Sequence, residues 1–128
     1  MSYDVVNRSK EPAQAHFAVC IPLNLDSVIS EHRWIQVSDK PAQSWSESQQ
    51  SPEVVDAVMG FEDLGFRLRI GIEPTAQVVV IPVRIPVHSA EGMRSTFQGV
   101  ELWLSWPMQL WGTEKQQVRL TLSVERDA

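Results

Sequence analysis

Residues 51 to 65 read SPEVVDAVMGFEDLG, and the class of the fold turns on whether this stretch is a helix or a strand. Ser51 is a natural N-cap, Pro52 suits the first helical position, Glu53 suits the first turn, and Gly65 lies just past the end. Val54, Val58 and Phe61 then share one helical face. The spacing predicts a single short helix of about ten residues.

Both flanks of this stretch read as β. Upstream, HFAVCIPLNL (16–25) alternates, with Phe17, Val19, Ile21, Leu23 and Leu25 on one side and His16, Ala18, Cys20, Pro22 and Asn24 on the other. HRWIQVS (32–38) is a weaker second strand, predicted to form a hairpin with the first through a turn at Asp26–Glu31. The polar stretch DKPAQSWSESQQS (39–51) reads as a surface loop around Trp45.

Downstream come four strand signals. GFRLRIGIE points Phe66, Leu68, Ile70 and Ile72 one way and Arg67, Arg69 and Glu73 the other, and EPTA then offers a tight turn at Pro74. QVVVIPVRIPVH is expected to bury Val79, Ile81, Val83, Ile85 and Val87. FQGVELWLSW buries Val100, Leu102, Leu104 and Trp106, and QVRLTLSVE buries Val118, Leu120, Leu122 and Val124. The expected fold class is α+β, predominantly antiparallel β: about six strands as a hairpin, one short helix and a four-stranded meander.

Proline refines that layout. It cannot donate to a sheet ladder, and Pro82 and Pro86 would blank the same edge of their strand, so the run Gln77 to His88 should pair regularly on one side only. One short helix cannot cover about two dozen inward side chains. The sheet is therefore expected to curl strongly into a half-barrel, or to meet a second copy face to face as a homodimer.

Composition narrows the function classes. A chain of 128 residues, 43% apolar and 21% charged, suits one globular domain, placed at 16–125 behind a flexible N-terminal arm at 1–15. The net charge of -5 opposes binding to phosphate backbones, so no nucleic acid is expected. Residues 1–15 carry no signal-like apolar run and no stretch has membrane-spanning length, so no membrane is expected. With a single cysteine, Cys20, the expected compartment is cytoplasmic.

Chemistry-bearing motifs are few. GxSxG, HExxH, CxxC and Gly-rich phosphate loops are absent from the sequence. His16 and Cys20 share a strand face but stand about 13 Å apart at strand rise, too far to hold one metal. His16, His32 and His88 would have to converge from three strands. Adjacent Glu31 and His32 would face opposite sides of a strand, which suits acid–base pairing poorly. No catalytic residue, metal or cofactor is assigned.

The remaining lead is VELWLSWPMQLWG (100–112), with three of the chain's five tryptophans. Trp106 falls on the aliphatic side of its strand, whereas Trp103 falls outside, between Glu101 and Ser105. Pro107 should end the strand, leaving Met108, Leu110 and Trp111 in a connection that either plugs an open end of the sheet or forms an apolar interface. Trp103, Met108, Leu110, Trp111 and Trp45 are thus the candidate interface residues.

Three functions are weighed. The leading one is a non-enzymatic protein-binding module of adaptor, inhibitor, immunity or regulatory-subunit type, with itself and another protein as candidate partners. The second is a small-molecule-binding, barrel-like protein with an apolar cavity and with Trp34, Trp45 and Trp111 near its mouth. The third is an enzyme using His32 or His88 with a carboxylate from another strand.

Overall fold

A computed structural model describes residues 1–24, 33–44 and 48–126. The described chain is all β, with eight strands in one antiparallel sheet. They are β1 (Ser2–Val6), β2 (Ala13–Asn24), β3 (Arg33–Val37), β4 (Gln43–Ser44), β5 (Gln49–Phe61), β6 (Phe66–Ser89), β7 (Gly92–Leu110) and β8 (Lys115–Arg126).

The helix expected at 51–61 is not there; this stretch lies within β5, so the α+β class is corrected to all-β. The reason is specific. β5 carries register shifts between Ser51 and Val54 and between Val54 and Asp56, and each irregularity displaces the alternation. Ser51, Val54 and Ala57 are consequently all buried, whereas Val58 of the expected helical face stands opposite Arg69 and is only half-buried. Beyond Asp56 the ladder is regular, and Ala57, Met59 and Phe61 alternate inward against Ile70, Leu68 and Phe66 of β6.

β6 organises everything else. Its first part, Phe66–Glu73, pairs with β8, and its second part, Gln77–Ser89, pairs with β7. The turn expected at Pro74 is therefore a place where one continuous strand changes partners, and the four-stranded meander does not form. β5 follows along the other edge of β6 as far as Val80. The expected hairpin of 16–25 with 32–38 is also replaced: β2 pairs with β7, and β3 pairs with β5. The intervening turn, 26–31, lies outside the described residues.

Two wings result. One runs β1-β8-β6-β5-β3-β4, and the other runs from β6 through β7 to β2. Ile35, Met59, Ile70, Val118 and Leu120 of the first wing and Val80, Val100, Leu102 and Leu104 of the second join one buried cluster. Tyr3 of β1 meets Phe17 of β2 with ring centroids 5.4 Å apart, so the wings face each other across that core. The sheet is neither closed nor strongly curled, which corrects the half-barrel expectation.

The chain start takes part in this packing. β1, inside the stretch 1–15, pairs with β8 from Ser2↔Arg119 to Val6↔Lys115. Asn7 then donates through Nδ2 to the carbonyls of Glu11 (2.7 Å) and Leu110 (3.2 Å), tying the turn before β2 to the end of β7. A buried amide with partners for its donors stabilises the link instead of costing desolvation.

Face assignments hold for β2, the first part of β6 and β7, and fail in two places. Val78 and Val80 are the buried residues of the second part of β6, so the row Val79, Ile81, Val83, Ile85 and Val87 faces outward, opposite to expectation. The run VVVI offers aliphatic side chains in both phases, so alternation alone could not choose. In β8, Val118 and Leu120 are buried, but Leu122 and Val124 are 43% and 64% exposed.

Candidate functional site

The prolines explain how the second part of β6 is left open. β5 stops pairing at Val80, so from Ile81 to Ser89 β6 pairs only with β7 among the described residues. Pro82 and Pro86 lie in this singly paired stretch, as their missing donors require. The strands turn at Ser89↔Gly92 and form a two-stranded hairpin projecting past the core. The single register shift, between Val83 and Arg84, leaves the extra residue, Gln98, on β7. β6 is therefore unbulged, and Val79, Ile81, Val83, Ile85 and Val87 remain on one face over about 26 Å at strand rise.

That face is apolar where alternation normally assigns polar residues. Ile81, Ile85 and Val87 are 41%, 46% and 42% exposed. Val79 pairs with Trp103, and Trp103 pairs with Cys20 on β2, so these three form one row across the sheet. The next row is Ile81, Glu101 and Pro22. Trp103 is 38% exposed. Contiguous exposed apolar patches occur at interaction surfaces and at ligand-binding grooves.

Charges on the face are few. Glu101 stands opposite Ile81, and Arg94 stands opposite Val87 near the hairpin tip, where it also pairs with Glu91 of its own turn. The Cys20 thiol donates to Glu101 Oε2 at 3.5 Å. Its pKa is raised, first by burial and then by the hydrogen bond and charge of Glu101. The thiol thus stays protonated to higher pH than a free cysteine.

The residues singled out in sequence separate here. Trp103 is on the outer face, as expected. Pro107 does not end β7: it pairs with His16 of β2, in a segment where β6 has already departed and no donor is needed on that side. Met108 and Leu110 continue the inward alternation and are 5% and 3% exposed, so they are core side chains of a regular strand and no part of a surface. Trp111 is 62% exposed in the turn after β7. Its distance of eight residues from Trp103, about 26 Å along a strand, keeps the two indoles apart. Trp45 and His32 lie outside the described residues. Trp106 is buried, stacks on Phe17 at 5.8 Å and donates Nε1–H to the Pro74 carbonyl at 2.9 Å.

Other chemistry does not assemble. His16 lies opposite Pro107 and His88 opposite Met93, at opposite ends of β7. No group of three His, Cys, Asp or Glu residues among those described is placed to hold a metal. Among the described residues the sheet does not close into a barrel. The grooves lie on the surface, one of about 580 Å³ between β2 and β7 beside His16 and Gln109, another of about 530 Å³ beside Pro52, Pro74 and Trp106. Trp34, expected near a cavity mouth, lies over Gly60 on the outer face of the first wing.

The outward row was missed because its aliphatic content reads as core. The signal that could have found it is the surplus: both phases of 78–81 are aliphatic, more than one buried face can take. No protein-family model matches the chain, and no curated protein or solved structure matches it. No helix of the described residues is long and apolar enough to cross a membrane.

Proposed function

We propose that this protein is a protein-binding module, of adaptor, inhibitor or regulatory-subunit type, that docks through the outer face of β6 and β7. The observation that carries the reading is the row Val79, Ile81, Val83, Ile85 and Val87 with Trp103 beside it, patterned for burial yet turned to solvent. An interface that buries such a stripe gains about 25 cal/mol for each Å² of apolar surface removed from water. An indole near its centre is a typical hot spot. The prolines bear on the mode of binding. They remove donors from the free edge of β6, which disfavours addition of a partner strand there and leaves the face as the contact.

Site-directed photocrosslinking tests this. A benzophenone amino acid at Ile81 or Ile85 should capture protein, either in the pure sample or in extract of the source cell, whereas the same probe at exposed Leu64 should not. Equal yields at all three positions, or none at Ile81 and Ile85, would overturn the reading.

A further inference from the structure

Resting on that reading, we infer that the occupant of the face is a second copy of this chain, packed face to face with its strands antiparallel to the first. Self-association of one face requires a two-fold axis lying in the interface. If that axis runs perpendicular to the strands, each strand lies over its own copy with the direction reversed. Val83 and Ile85 then straddle the axis, and Ile81 of one copy meets Val87 of the other.

The charges select this arrangement. Glu101 is level with Ile81, and Arg94 is level with Val87, so the two lie at equal distances on either side of the Val83–Ile85 midpoint and on the same strand. The two-fold operation places Glu101 of each copy over Arg94 of its partner. Two symmetric, opposite-sign pairs therefore close the ends of an aliphatic seam. An axis along the strands would instead bring each charge to the level of its own copy, glutamate near glutamate and arginine near arginine, which complementarity disfavours. Beyond the pairs, Trp103, level with Val79, would reach the level of the partner's Ser89↔Gly92 turn. Gly92 has open space where a side chain would stand, so an indole can lie against its backbone.

Sedimentation equilibrium on the full chain, with circular dichroism as the folding control, provides the test. The wild type should be dimeric at micromolar concentration, and Ile85→Glu, or Ile81→Thr should the first variant misfold, should shift it to monomer. Glu101→Arg and Arg94→Glu should each weaken the dimer by at least about tenfold, since each sets like charges together. The double swap should recover most of that loss. A dimer indifferent to Ile85→Glu and Ile81→Thr would overturn the inference, as would a double swap no tighter than the single ones. A monomeric wild type would also overturn it, while crosslinks from Ile81 and Ile85 to another protein would leave the binding-module reading standing.

Discussion

The two parts of β6 obey the same alternation and reach opposite outcomes. In Phe66–Glu73 one row, Phe66, Leu68, Ile70 and Ile72, is apolar and turns to the core, while Arg67, Arg69 and Glu73 turn to water. In Gln77–Ser89 the longer aliphatic row turns to water, and only Val78 and Val80 of the opposite row are buried. Their outer faces differ too. Over the first part, Trp34 lies on Gly60 with the Arg67 guanidinium 5.6 Å from its ring centre, and its Nε1 donates to Glu62 at 3.2 Å. Over the second part, Trp103 has only Val79 and Cys20 beside it in its row. The chain covers its own indole in one place and leaves it open in the other.

The largest effect that can break this comparison is in the core. Ile70→Ala should cost about 2–5 kcal/mol, the range for emptying a fully buried aliphatic site, whereas Ile85→Ala should cost under about 1 kcal/mol in dilute protein. Urea denaturation of the two variants measures the contrast. Equal losses would mean that Ile85 is buried within its own chain.

Gly60→Ala comes next. A Cβ there would stand 2.1 Å from Trp34 Cε2, so the indole must leave its seat, at a cost of about 1–3 kcal/mol. Thermal melts should show the loss, and tryptophan emission should shift to the red as Trp34 is exposed. An unchanged emission spectrum would remove the distinction between the two indoles.

Trp103→Ser should change the stability of the dilute chain by no more than about 0.5 kcal/mol, as for other surface substitutions. A melt showing outright unfolding would reverse the face assignment of β7. The smallest effect concerns Cys20. Because burial and Glu101 raise its pKa, alkylation by iodoacetamide at pH 8 should be slower than for a free thiol and should quicken in Glu101→Gln, which removes the charge. A rate insensitive to Glu101 would separate Cys20 from the outer face.

Much of the candidate site is legible in the sequence, though not all of it in the right place. Trp103 was placed outside by the residues around it, since Leu102 and Leu104 leave no doubt about the phase of β7. Met108 and Leu110 read as a connection because a proline such as Pro107 ordinarily stops a strand. Here it does not, since β6 leaves β7 before that point and the missing donor has no partner to fail. The outer row of β6 was grouped correctly as one face and assigned to the wrong side.

In the regular stretches of β2, β6 and β7 the sequence by itself determined which residues share a face, because side chains alternate at each regular strand step. It also determined that the hairpin edge near Pro82 and Pro86 carries no ladder among the described residues, because a proline has no donor wherever it sits. Only the tertiary structure decided that Ser51–Phe61 is a strand: pairing with β6 buries Val54 and Phe61 but leaves Val58 beside Arg69, off the core, although caps and spacing suit a helix. Only the tertiary structure, likewise, decided which side of Gln77–His88 meets the core. Burial is a relation between an element and what packs on it, and where both faces are aliphatic the choice belongs to the neighbours.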